Sequence, residues 1–166
     1  PEGTSGWMVA LNDVAPSSGC RWGNNGHVPN LPTGLTTANI NLLSQLDGYS
    51  FTQAIMANGN NTAYPAAWYA ANYGEGWYLP AIGQLRILIS KMVLIEEVLI
   101  ANGGSTLSEE YYWSSSESGN NNAWTVCLSN PSGIEPNLSN HPWSGSFYSS
   151  ARSENYAVRP IRNFTI

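Results

Sequence analysis

Between Ser114 and Tyr156, serine and asparagine supply nearly half of the residues. Their short polar side chains compete for the backbone's own hydrogen bonds, so a long helix is disfavoured there and β or loop structure is expected. One stretch inside the segment is more specific. Trp124, Val126 and Leu128 alternate with Thr125, Cys127 and Ser129. A period of two assigns a strand, with the first set on a core face and the second facing solvent or a ligand.

The rest of the chain reads differently. Gly6 to Asp13 has Trp7, Val9 and Leu11 in alternation, as a half-buried strand requires. Asp13 to Leu35 is a loop rich in Pro, Gly, Ser and Asn. Short helices are expected over Thr37 to Leu46 and Thr52 to Ala57, on either side of the turn signal Asp47-Gly48. Pro65 suits the first position of a third helix that ends before Gly74. After Gly76-Trp77-Tyr78-Leu79-Pro80, one helix places Leu85, Leu88 and Ile89 together. Another places Ile95, Val98 and Leu99 together and stops at Asn102-Gly103-Gly104. Both stripes read as core. Tyr156 to Ile161 reads as a closing strand, with Pro160 implying an edge or a bulge. With no repeat and no linker, residues 1–166 form one α+β domain.

Composition narrows the function. The chain has 166 residues, 7 Trp, 9 Tyr and 3 Phe, enough to bury roughly two thirds of its unfolded surface around a real core. Charged residues are 10%, and Lys91 is the sole lysine, so no basic patch exists for a nucleic-acid backbone or an anionic membrane. The most apolar run is interrupted by Lys91 and Glu96 and is too short to span a bilayer. The chain opens at Pro1 without a signal-peptide pattern and is expected to be a mature form or an excised domain.

Catalytic chemistry finds little to stand on. No GxSxG elbow occurs, and His27 and His141 sit in Gly/Asn/Pro-rich loops. Cys20 and Cys127 are too far apart in sequence for a zinc-ligand pattern, and they leave open either a disulfide or two thiols. Glu96-Glu97 and Glu109-Glu110 are adjacent pairs whose side chains diverge, so they read as solvating charges. The chain is expected not to be an enzyme and to need no cofactor or metal.

Seven motifs occur in a fixed order: GWMVALND, DGYSFTQAI, YPAAWYA, GWYLP, YYWSSSE, NNAW and AVRPIR. Together they resemble the C-type-lectin-like domain of bacterial surface and phage-associated proteins, within the formylglycine-generating-enzyme-like superfamily fold. Some members of that family are the variable proteins of diversity-generating retroelements. The resemblance covers nearly the whole chain. It implies short helices packed on a small twisted antiparallel sheet with long C-terminal loops, as the C-terminal part of a longer surface protein. In such variable proteins, mutagenesis of asparagine-type codons yields surfaces rich in Asn, Ser and Tyr with an occasional Cys or His. Residues 114–156 have that composition.

The implied function is non-catalytic, adhesin-like binding of a protein or glycan on another cell, from an extracellular, cell-surface or virion-displayed position, without membrane insertion. The implied ligand-binding residues are Asn120, Asn122, Thr125, Cys127, Ser129, Asn130, Asn137, Asn140, His141, Trp143, Phe147, Tyr148, Arg152, Asn155 and Tyr156. Trp143, Phe147, Tyr148 and Tyr156 would be the aromatic anchors, while Arg159 and Arg162 would serve structure through carboxylate or carbonyl contacts. Two alternatives accompany this reading. One is a structural domain that assembles a fimbrial or virion appendage, which would carry a large self-complementary apolar patch. The other is a calcium-dependent sugar-binding lectin centred on Glu135 and Asn137 of Glu135-Pro136-Asn137. That tripeptide matches mannose-type lectins, but the later Trp-Asn-Asp partner is missing.

Overall fold

A computed structural model of the chain describes residues 5–33, 45–107, 111–128 and 146–165. Its two ends meet: β1 (Ser5–Val9) pairs antiparallel with β6 (Ile161–Thr165) in the register Ser5↔Thr165 to Val9↔Ile161. The short β2 (Trp77–Tyr78) adds to the other side of β6, giving the order β1-β6-β2. A second antiparallel sheet contains β3 (Tyr111–Glu117), β4 (Asn122–Cys127) and β5 (Ser146–Ala151), with β4 in the centre. Among the described residues there are four helices: α1 (Gly48–Ala57) and α2 (Pro65–Ala71) lie between β1 and β2 in the chain, and α3 (Ile82–Ser90) and α4 (Met92–Ala101) lead from β2 to the second sheet. The molecule is therefore α+β, as expected.

Local chemistry explains the helix starts. Asp47 caps α1 by accepting from Ser50 N at 3.0 Å, so this helix begins at Gly48, four residues before the expected Thr52. Gly48 is required by proximity: a Cβ there would lie 2.4 Å from Gln84 Oε1. Gln84 links three elements, accepting from Gly48 N and Ala81 N and donating to the Tyr78 hydroxyl, each at 3.0 Å. Pro65 occupies the first turn of α2 as read from sequence. Of the helix expected over Thr37 to Leu46, residues 37–44 lie outside the described residues, while Gln45 and Leu46 are not helical.

The β3–β4–β5 sheet separates two apolar clusters. Trp113 and Ala123 pack with Trp22, Ile55 and Tyr64 on one side. Tyr112, Trp124, Val126 and Phe147 pack with Leu85, Leu88 and Ile161 on the other. Both faces are thus covered, and this corrects the expectation for β4. Thr125 and Cys127 alternate away from Trp124 and Val126 as predicted, but both are completely buried. Alternation assigns a side chain to a face; only the neighbours decide whether that face is wet.

Three further expectations change. The closing segment makes single bridges at Tyr156 and Ala157, and the long pairing begins only at Ile161. Leu11 lies beyond β1 and is exposed. On α4, Leu99 and Met92 are buried, but Val98 is 61% exposed, so its stripe is not all core. Among the described residues, no helix is long and apolar enough to cross a membrane.

Candidate functional site

Two buried arginines hold the loops that frame the site. Arg152 donates to the carbonyls of Asn24, Gly26, Gly119 and Asn122, and to Glu117 Oε1 at 2.7 Å. Glu117 in turn accepts from Val28 N at 2.8 Å and lies 2.6 Å from His27 Nδ1. Arg159 pairs with Asp13 at 2.6 Å and donates to the carbonyls of Ala10, Leu11, Ser105 and Thr106. Planar guanidinium forks satisfy several carbonyls at once, which turns that leave the ladder otherwise lack. Arg159 serves structure as expected. Arg152, expected to bind ligand, is also fully buried and structural.

Above this frame lies a row of aromatic rings. Tyr111 stacks on Tyr156 with centroids 4.7 Å apart, and meets Tyr148 edge-on at 5.8 Å. Tyr156 continues the row to Trp113 at 4.8 Å. Register explains the geometry. Tyr111 pairs with Cys127, and Thr125 pairs with Tyr148, so all four share one face of the sheet. The rings from β3 and β5 meet over β4 and close it off. Thr125 fills the remaining space with a hydrogen bond to Ser150 Oγ at 2.8 Å.

The outer side of the row opens on a cleft of about 320 Å³ lined by Asp13, Ser17, Ser18, Tyr111, Asn155 and Tyr156, among others. The wall formed by residues 16–19 is fixed by a turn from Pro16 O to Gly19 N and by reciprocal bonds between Cys20 and Tyr156 at 2.9 and 3.0 Å. Gly19 has φ +75°, and a Cβ there would lie 2.8 Å from Tyr156 N, so the turn and the tyrosine strand are in contact. Asp13 is engaged from inside by Arg159 and by the Tyr112 hydroxyl at 3.1 Å. The cleft offers flat aromatic area rimmed by hydroxyl and amide groups, a surface suited to adaptable hydrogen bonding.

The expected site residues divide accordingly. Tyr148, Asn155 and Tyr156 come together at or beside the cleft. Asn120 and Asn122 sit at the far end of β4, where Asn122 Nδ2 donates to Ser149 Oγ at 3.0 Å. Thr125, Cys127, Arg152 and Phe147 are buried and offer no contact surface. Ser129, Asn130, Asn137, Asn140, His141 and Trp143 lie outside the described residues, as does Glu135. Missed from sequence were Tyr111, Ser17 and Ser18. Tyr111 could have been found, because it shares the parity of Trp113 and Cys127 across a paired strand.

Cys20 and Cys127 are both buried thiols, not joined by a disulfide. Burial pushes the Cys20 thiol up to about 12, because no water is available to solvate a thiolate. Tyr78 is also pushed up to about 12, by burial first and then by the Asp47 carboxylate, against a lowering hydrogen bond from Gln84. Among the described residues, no group of three His, Cys, Asp or Glu side chains could hold a metal ion. No protein-family model matches the chain, and no curated protein sequence matches it.

Proposed function

We propose that the chain is a non-catalytic, adhesin-like ligand-binding domain of the C-type-lectin-like class, serving as the variable protein of a diversity-generating retroelement. Displayed on a cell or virion surface, it would bind a protein or glycan on another cell. The observation that carries this reading is the aromatic row Tyr148–Tyr111–Tyr156 beside the polar cleft. Tyrosines immobilised by one another present large contact area at low entropic cost, while Ser17, Ser18 and Asn155 supply adjustable hydrogen bonds.

Two features of burial support the same reading. The motifs behind the resemblance build the interior: Tyr78, Leu79 and Pro80, then β3 from Tyr112 onward, then Ala157 to Pro160, are all buried. In the Ser/Asn-rich segment, Asn120, Asn121, Ser149, Ser153 and Asn155 stay exposed. A conserving scaffold with a replaceable polar surface requires that division of labour.

An array of bacterial surface glycans and surface proteins, probed with the folded chain, tests the binding role. A bound partner whose affinity falls at least about tenfold in Tyr148→Ala or Asn155→Ala, with melting unchanged, supports it. No bound partner, or one indifferent to both variants, overturns it. The retroelement part is tested by the gene's neighbourhood: a near-copy of the coding segment for residues 114–164 beside a reverse transcriptase must be present. The assembly alternative has a specific observation in its favour, the exposed apolar surface of α4. It does not compete for the tyrosine cleft.

A further inference from the structure

Among the described residues, eight large apolar side chains are exposed, and five of them line one cleft. Met8, Leu11, Tyr73, Leu94 and Val98 line a cleft of about 690 Å³ between β1, β2 and α4, floored by Trp7 and Trp77. Val93 and Ile100, at 46% and 61% exposure, lie on another flank of the same helix and outside the cleft. None of the residues lining the cleft carries a charge. Such concentration is not the scattered exposure normal for a monomer's surface.

The geometry is that of a groove beside its own ridge. Residues four and seven apart lie on one side of a helix, so Leu94, Val98 and Ala101 form a row along α4. Met92 and Leu99 anchor the opposite side in the core. The row is both the outer lip of the cleft and a convex apolar edge. We propose that this surface binds a second copy of the same chain, the α4 row of each copy entering the cleft of the other about a two-fold axis. An isologous contact needs each patch to contain both a projecting and a receiving part, side by side, and this one does.

Area and charge agree with that occupant. The five exposed side chains of the cleft present on the order of 450 Å², and the half-buried Trp7, Val9, Trp77 and Ile95 extend this toward the roughly 800 Å² per partner of a standard interface. Each copy carries a net charge of −5, so a like-charged partner is best tolerated at an uncharged cleft such as this one, with the exposed Glu97 left at the rim of the α4 row. Antiparallel α4 helices also bring the exposed Lys91 of each copy toward the carboxyl end of the other's helix, a favourable place for a cation.

Sedimentation velocity on the whole chain between about 1 and 100 μM reads the result directly. A dimer is expected, weakened at least about a hundredfold by Leu94→Glu or Val98→Glu, since either puts a carboxylate into the apolar contact. Both positions are more than half exposed, so the monomer should keep its far-ultraviolet spectrum and melting temperature. Val98→Cys should form an intermolecular disulfide under mild oxidation, and the control Asn121→Cys should not. A wild-type chain monomeric at 100 μM overturns the proposal, as does a dimer indifferent to both glutamate variants. If the monomer instead binds an anilinonaphthalene-sulfonate dye and Leu94→Glu abolishes that binding, the cleft belongs to a small apolar ligand.

Discussion

Arg152 joins Glu117 at 2.7 Å while its guanidinium lies 4.3 Å above the ring of Trp22. The side chain of neither ion reaches solvent appreciably; Arg152 also donates to four backbone carbonyls, and Glu117 also accepts from Val28 N and lies 2.6 Å from His27 Nδ1. The pair fixes the loop of residues 24–28 and the β3–β4 turn against the end of β5. It therefore sets where the exposed asparagines of that turn stand.

Removing Arg152 should be severe. Arg152→Met strands the buried Glu117 carboxylate and four carbonyls, and a loss of about 3–5 kcal/mol is expected. Arg152→Lys should recover only part, because an ammonium cannot reproduce the planar fork. Urea denaturation of both variants measures this; stability within about 1 kcal/mol of wild type for Arg152→Met would refute the role of the pair.

The tryptophans should not be equivalent. Trp113 Nε1 donates to Cys20 O and Trp22 Nε1 to Ser114 O, each at 2.8 Å, whereas buried Trp124 Nε1 has no partner among the described residues. Replacement by Phe should therefore cost about 0.5–1.5 kcal/mol more at Trp113 than at Trp124, since only the first change removes a hydrogen bond, while Cys20 O keeps its bond from Tyr156 N. Trp124→Ala should still cost roughly 3–5 kcal/mol by emptying a packed site. Parallel melting curves of the three variants decide the order.

Tolerance should follow burial, not composition. Asn120 and Asn121 engage the fold through their carbonyls, accepting from Gly26 N and Arg152 N. Exchanging the side chains of Asn120, Asn121, Ser153 and Asn155 together should change stability by no more than about 0.5 kcal/mol per site. Thr125→Tyr or Cys127→Tyr should cost about 1–3 kcal/mol or more, because the space under Tyr111 and Tyr148 is filled. A four-site variant that fails to fold would remove the display surface.

Stability should decline in alkali. Cys20 titrates at about 9 when unfolded and at about 12 when folded, and Tyr78 moves from about 10 to about 12. The unfolded chain thus loses protons first, so their contribution is intact below pH 9 and is lost as pH rises from 9 to 12. Cys20→Ala should flatten the first part of that decline in urea titrations across this range. Neither thiol should react with a bulky disulfide reagent until the chain unfolds.

Calcium removal should change nothing. Glu117 is one of three carboxylate side chains from residue 117 onward, and it is committed to Arg152, His27 and Val28. Glu135 and Glu154 alone are few ligands for an ion that takes 6–8 oxygens. A chelator should leave the melting temperature unaltered. A rise of several degrees with added calcium would favour the sugar-binding lectin centred on Glu135 and Asn137.

Sequence by itself determined the elements and their parity. Pro65 and the stripe Leu85, Leu88 and Ile89 marked helices, and Trp124 and Val126 marked the inward face of β4, because these signals are local and repeat with the backbone's own period. It did not decide what lay across from each face. Thr125 and Cys127 looked wet because alternation cannot see Tyr111 and Tyr148, which arrive from two neighbouring strands. Arg152 looked like a ligand contact because its five acceptors come from two stretches of chain far from it in sequence, residues 24–26 and 117–122. Val98 looked like core because a helix stripe records hydrophobicity and not cover. Tertiary structure settled these three cases, since burial depends on neighbours far apart along the chain.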